Sequence, residues 1–273
     1  MGVSNNTNLR PQGLCFLLLA LTLMWVAGCS TTSSQTTPNQ AAPNQTSVTD
    51  TRPEPGQLLY RADFASRESV SDWVMEGPGE VSFEQGWMEM LSPDEQGHHV
   101  FWCPQDFPDH FIAQWDAQNL DLEAGLVIVF FAATGVDGQD IFSPKLPPRD
   151  GAFTQYTQGE ITSYHISYYA NAAHNPGRGY ANLRKNNTFS LLQTGEVGIP
   201  TQSTRPHEVT LIKEGARIRL YVDDRKVIDY TDDTPVVGDV DTGRALDTGK
   251  IGFRQMKWTH FRYQNFRVRA IDQ

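Results

Sequence analysis

A histidine four residues before a tyrosine on one strand pairs a base with an acid, and the segment Ile161–Asn171 offers that pairing in His165 and Tyr169. If the segment is extended, alternate residues share a face. Ser163, His165, Ser167, Tyr169 and Asn171 then form one polar row, opposite a packing face of Tyr164, Ile166, Tyr168 and Ala170. As an imidazole, His165 can take or give a proton, and Tyr169, or Tyr156 from the preceding segment, can act as its partner acid. Hydroxyls, an imidazole and an amide in a row are also the equipment of a sugar site. Arg149, Arg178, Arg184 and Arg254 add guanidinium forks that match a carboxylate or sulfate, and Trp102 offers a face for a pyranose ring. In Phe111–Ala117, Gln114 and Asp116 share a face and are expected to neighbour the first row. His98 and His99 point opposite ways on a strand, so they are no paired metal site.

These side chains need strands to hold them. The chain from Leu58 onward is a series of short β-type runs broken by turn residues. Strands are expected near Leu58–Phe64, Val81–Phe83, Trp87–Leu91, His98–Cys103, Phe111–Ala117, Leu126–Ala133, Ile161–Ala170 and Tyr180–Arg184. Others fall near Glu208–Glu214, Arg217–Val222, Lys226–Thr231, Lys250–Met256 and Tyr263–Ile271, with a tight hairpin over Tyr221–Ile228. No amphipathic helix of three turns is evident. The expected fold is all-β, a β-sandwich or jelly roll of two antiparallel sheets. The long segment Asp137–Glu160 between strands is expected to lie over one end of a groove and to supply Arg149 and Tyr156.

Of the three cysteines, Cys15 lies in the apolar stretch Leu14–Val26 and Cys29 follows it, which leaves Cys103 as the lone thiol of the folded part. Cys103 reads as a small buried hydrophobe. The formal charge of −10 and the lack of a basic run speak against nucleic acid as a partner. Asp-rich stretches, Asp137–Asp140 and Asp239–Asp241, are candidates for a structural Ca2+, although neither has EF-hand spacing. No cofactor motif is found. The Leu14–Val26 run is short for a membrane span and reads as a signal-peptide core. Its ending, Val26-Ala27-Gly28-Cys29, resembles the lipobox of bacterial lipoproteins. That resemblance implies residues 1–28 as signal peptide, Cys29 as a lipidated N-terminus and Ser30 as an outer-membrane address. Residues 29–56, rich in Ser, Thr, Gln, Asn and Pro, read as a flexible stalk. Residues 57–273 are the folded domain.

The ending Lys250–Arg254 with Tyr263–Val268 resembles the last two strands of concanavalin-like, laminin-G-type jelly rolls. More specifically, His98–Pro104, Tyr164–Asn171 and Gly252–Met256 resemble the YesU-like family, over about Leu58 to Val268. That family is largely a domain of unknown function, found with genes for breaking down uronate-rich polysaccharides. The resemblance implies an acidic oligosaccharide or polysaccharide as partner. Three readings follow. The first is β-elimination by a lyase or dehydratase, with His165 and Tyr169 or Tyr156 as base and acid, and Arg254, Arg184 or Arg149 gripping the carboxylate. The second is a glycan-binding surface lipoprotein without chemistry. The third is a glycoside hydrolase, which needs two facing carboxylates such as Asp116 with Asp140 or Glu160. Elimination is the leading expectation; oligomeric state is open.

Overall fold

The computed structural model describes residues 51–92, 96–123, 125–171, 179–256 and 258–272. Cys29, the expected stalk as far as residue 50 and Arg178 lie outside them; residues 51–56, expected to be stalk, instead belong to the folded domain, where a strand opens at Pro55 and Arg52 lies 3.9 Å over the Tyr221 ring. The strands are β1 (Pro55–Ala62), β2 (Val74–Glu76), β3 (Glu80–Glu84), β4 (Trp87–Leu91), β5 (His99–Phe107), β6 (His110–Asn119), β7 (Gly125–Gly135) and β8 (Ile161–Asn171). They continue as β9 (Tyr180–Asn186), β10 (Ser190–Val197), β11 (His207–Glu214), β12 (Arg217–Val222), β13 (Arg225–Thr231), β14 (Val236–Val237), β15 (Val240–Asp241), β16 (Gly249–Met256) and β17 (His260–Ile271). One α-helical turn, α1 (Phe153–Thr157), sits in the segment between β7 and β8.

Two antiparallel sheets result, as the alternation anticipates. One has eight strands, ordered β13-β12-β11-β6-β17-β4-β3, with β1 also paired to β17. The other has seven, ordered β10-β9-β8-β7-β16-β5-β2. β14 and β15 form a small ribbon of their own. The two inner faces meet in a core rich in aromatic rings. Trp115 of the larger sheet lies 5.2 Å from Phe253 of the smaller one and donates its indole N–H to Tyr168 Oη at 3.3 Å. Each such side chain contributes roughly 1.5–3 kcal/mol through burial. Cys103 belongs to this core, and burial pushes its thiol up to about 12. The strands β2, β10, β14 and β15 and the helix α1 are among the elements that pattern reading misses: β2 has three residues, β14 and β15 two each, and β10 is mostly surface. Among the described residues, no helix is long and apolar enough to cross a membrane.

Candidate functional site on the outer face of the seven-stranded sheet

β8 alternates as expected only in its first half. Ser163, His165 and Ser167 point to the outer face, while Tyr164, Ile166 and Tyr168 join the core. A bulge then intervenes, because Val127 pairs with Tyr169 whereas Ile128 pairs with Ser167. The extra residue turns Tyr169 inward. Its ring meets Phe261 at 4.8 Å and its hydroxyl accepts from Asn119 at 2.9 Å. The expected His165–Tyr169 acid–base pair is therefore not formed. Asn171, at the strand end, is occupied by the Leu122 carbonyl, to which its amide donates at 2.6 Å.

The neighbouring strand β9 adds Asn182, Arg184 and Asn186, set opposite Ser167, His165 and Ser163 respectively. Asn186 Nδ2 lies 3.0 Å from His165 Nδ1 and 2.9 Å from Ser163 Oγ. The ring of His165 is buried among Phe130, Phe153 and Phe189, with centroids 5.4, 6.1 and 5.9 Å away. Arg184 lies over Phe189 at 4.2 Å and donates to its carbonyl at 2.9 Å.

The rest of this face is not open. Ile141, Leu146 and Tyr156, from the segment joining β7 to β8, pack with Trp102, Ile128 and Phe130 as a second apolar cluster. The long segment does lie over the sheet, as its length suggests, but it fills the expected groove instead of edging it. Trp102 is fully buried, so it does not present a face to a sugar; its indole donates to Glu76 at 2.9 Å. Arg149 is spent on the protein's own carboxylate. Its Nη2 and Nε reach the two Glu76 oxygens at 2.6 and 3.1 Å, which fastens the segment to β2. A second tie is Lys250, whose Nζ is 2.9 Å from Asp140. Tyr156 is buried, and its hydroxyl accepts from the Gly151 amide at 3.2 Å. Burial first, then the charge and hydrogen bonding of Glu76, push that hydroxyl far above its ordinary pKa, a poor setting for proton transfer at neutral pH. Gly151 is essential to the seating: its φ is +95°, and an added Cβ would stand 2.1 Å from the His98 carbonyl.

Arg254 is the exception among the arginines. It is 0% exposed, and its guanidinium carbon lies 5.0 Å from the Phe153 ring and 5.1 Å from that of Tyr156. Its Nη2 donates to the Gly151 carbonyl at 2.8 Å, while Nε and Nη1 meet no acceptor among the described residues. Burial lowers its pKa to about 10, so it stays charged at neutrality.

Gln114 and Asp116 lie elsewhere. β6 belongs to the eight-stranded sheet, so their row faces the opposite side of the sandwich from His165. Gln114 accepts from Arg267 at 3.1 Å, and Asp116 accepts from Asn265 at 2.7 Å. A carboxylate pair of Asp116 with Asp140 or Glu160 is thus not assembled. Among the described residues, no three His, Cys, Asp or Glu side chains converge as a metal site. Sequence reading missed Asn186, Phe153 and Glu76. The alternation Asn182-x-Arg184-x-Asn186 was the legible signal for the first.

Of the two adjacent histidines, His99 is the buried one. Its Nδ1 lies 3.3 Å from both Ser92 Oγ and the Gly97 carbonyl, and Nε2 has no partner among the described residues. Burial lowers its pKa from 6.5 to about 4. A proton is thus bound more weakly by the folded state, so the stabilisation is complete above pH 6.5 and is lost as pH falls toward 4. Urea titrations are expected to lose about 3 kcal/mol across that window, and His99→Gln to flatten it.

The fold and this face define an all-β sandwich of galectin-like type. The chain belongs to the family described as Domain of unknown function (DUF1961), whose model matches residues 57–268. The Uncharacterized protein YesU of Bacillus subtilis (strain 168) is 35% identical over 216 residues, covering 78% of this chain and 96% of that protein. A crystal structure described as a protein of unknown function with galectin-like fold, from Bacillus subtilis, superposes with a TM-score of 0.74 at 33% identity, covering 81% of this chain and all of that one. The apo Crh5 transglycosylase shares the fold alone, at 10% identity and TM-score 0.51, over 81% of this chain and 89% of its own.

Proposed function

We propose that this protein binds acidic, uronate-bearing oligosaccharides at the outer face of its seven-stranded sheet, held at the cell envelope through a lipidated Cys29. The observation that carries the reading is Arg254, a fully buried cation with two guanidinium nitrogens lacking an acceptor among the described residues. A buried charge without a counterion costs several kcal/mol, and a carboxylate is the ligand that offsets it best. Arg184, His165 and Ser167 lie on the same face and can bond sugar hydroxyls. Phe153 and Tyr156 cover Arg254, so binding requires that α1 lift.

Retention is favoured over elimination because both tyrosines expected as the acid are engaged elsewhere. Tyr169 is in the core, and the Tyr156 hydroxyl is bonded within the protein. Calorimetric titration with uronate oligosaccharides and their neutral counterparts tests the reading. Binding of the acidic series alone, weakened by salt, is expected. Equal binding of both series, or none, overturns it, and a rise in absorbance from a new conjugated double bond would restore elimination. For the anchor, incorporation of a labelled fatty acid should be lost in Cys29→Ser.

A further inference from the structure

At one end of the sandwich, away from the outer face just described, three side chains that no glycan-binding role uses are linked in series. Ser203 Oγ lies 2.7 Å from His207 Nε2, and His207 Nδ1 lies 3.0 Å from Asp223 Oδ2. We propose that Ser203, His207 and Asp223 form an esterase site that cleaves acyl esters carried by anionic sugars.

The elements that hold these groups are rigid. His207 opens β11 and is buried at 2% exposure. Asp223 sits in the two-residue turn between β12 and β13, at φ +55°, a conformation that aspartate tolerates in tight hairpins. Its other oxygen accepts the Glu208 amide at 3.2 Å, which fixes the carboxylate toward the imidazole. Ser203 ends a turn closed by its own amide on the Pro200 carbonyl at 2.9 Å, and Gln118 secures the next residue through the Thr204 carbonyl.

The order of contacts is the one acyl transfer requires, with nucleophile to base and base to orienting carboxylate. Ser203 Oγ attacks the ester carbonyl as its proton passes to His207 Nε2. Collapse of the adduct breaks the bond to the alcohol oxygen, which takes that proton. Water, deprotonated by the same nitrogen, then attacks the acyl-serine, releasing the acid and restoring Ser203. Burial, outweighing the pull of Asp223, lowers the His207 pKa; Arg205 and Arg225 push it the same way, so the ring is neutral and able to accept. Among the described residues, the Thr204 amide, directly after the nucleophile, has no protein acceptor, and this is the position from which serine hydrolases draw an oxyanion donor.

The surroundings indicate the substrate. Arg205 bonds Asp223 at 2.6 Å, Arg52 reaches the Asp223 carbonyl at 3.4 Å, and Arg225 is fixed to the Val197 and Gly198 carbonyls. Two guanidinium groups on Asp223 and a third two residues further along the chain, at Arg225, favour an ester borne on an anionic chain.

Reaction of the folded protein with a fluorophosphonate, followed by peptide mapping, and turnover of 4-nitrophenyl acetate test the proposal. Labelling at Ser203 is expected, and Ser203→Ala should lower turnover by about 100-fold or more with the melting temperature kept. Asp223 is a positioning residue: Asp223→Asn should slow labelling and move the acidic limb of its pH profile downward, because the carboxylate raises the imidazole pKa. Absence of label on Ser203, label confined to another residue, or turnover that survives Ser203→Ala overturns it.

Discussion

Lys185→Met is expected to destabilise the domain by about 3–5 kcal/mol, the largest effect of any single substitution argued from this fold. Lys185 belongs to β9 but points inward, and its ammonium lies 2.8 Å from Asp232 with both side chains essentially sealed from water. The same nitrogen donates to the Gly243 and Arg244 carbonyls, each at 2.8 Å. Tyr164 donates to Asp232 at 2.5 Å and accepts the Leu246 amide at 3.0 Å. One ammonium thus fastens the connection between β13 and β16 to the sheet. Methionine keeps the volume and removes the charge, stranding a buried carboxylate whose Oδ1 already has no partner among the described residues. Lys185→Met combined with Asp232→Leu should recover much of the loss, since it is the unpaired charge that costs most. Urea denaturation of the two single variants and the double variant measures the coupling. Equal losses in Lys185→Met and the double variant would show that the pair contributes only shape.

Arg254→Met is expected to act in the opposite direction on stability. The guanidinium has one hydrogen bond and two aromatic neighbours to offset the loss of its hydration. Each aromatic contact is worth about 0.5–2 kcal/mol, less than desolvation of an unpaired cation. Methionine fits among Phe153, Tyr156 and Ile128 without that cost, so the unfolding free energy should rise by about 1–3 kcal/mol. Retention of uronate oligosaccharides should fall to the level of neutral ones. A residue kept at the expense of stability and lost together with binding is the signature of a functional cation. A drop in stability with retention unchanged would assign Arg254 to the scaffold.

The sandwich was legible because its signals are periodic. Arg217–Val222 and Glu208–Glu214 largely alternate, and both became strands with those bounds or nearly so. The polar row on β8 was half legible: Ser163, His165 and Ser167 follow period two, but the bulge that turns Tyr169 inward leaves no trace in residue type. Gln114 and Asp116 were placed on a strand correctly and beside His165 wrongly, because alternation gives a face and never says which sheet the strand joins. Arg149 and Trp102 looked like ligand contacts, yet their partner is Glu76, 73 and 26 residues away along the chain. Pairings of that range are set by topology. The Ser203–His207–Asp223 chain was equally hidden, since a turn residue and a strand residue meet only once the β12–β13 hairpin has formed.

The placement of β17 has a consequence for how the protein comes into being. This strand lies between β6 and β4 in one sheet and also carries β1, while β16 lies between β5 and β7 in the other. Both sheets therefore keep a vacant middle until residues 249–271 have emerged from the ribosome. Such long-range pairing slows folding. For a chain proposed to leave the cytoplasm through a lipoprotein signal, that delay is an asset: the polypeptide stays threadable during export and closes around its own last strand on the far side.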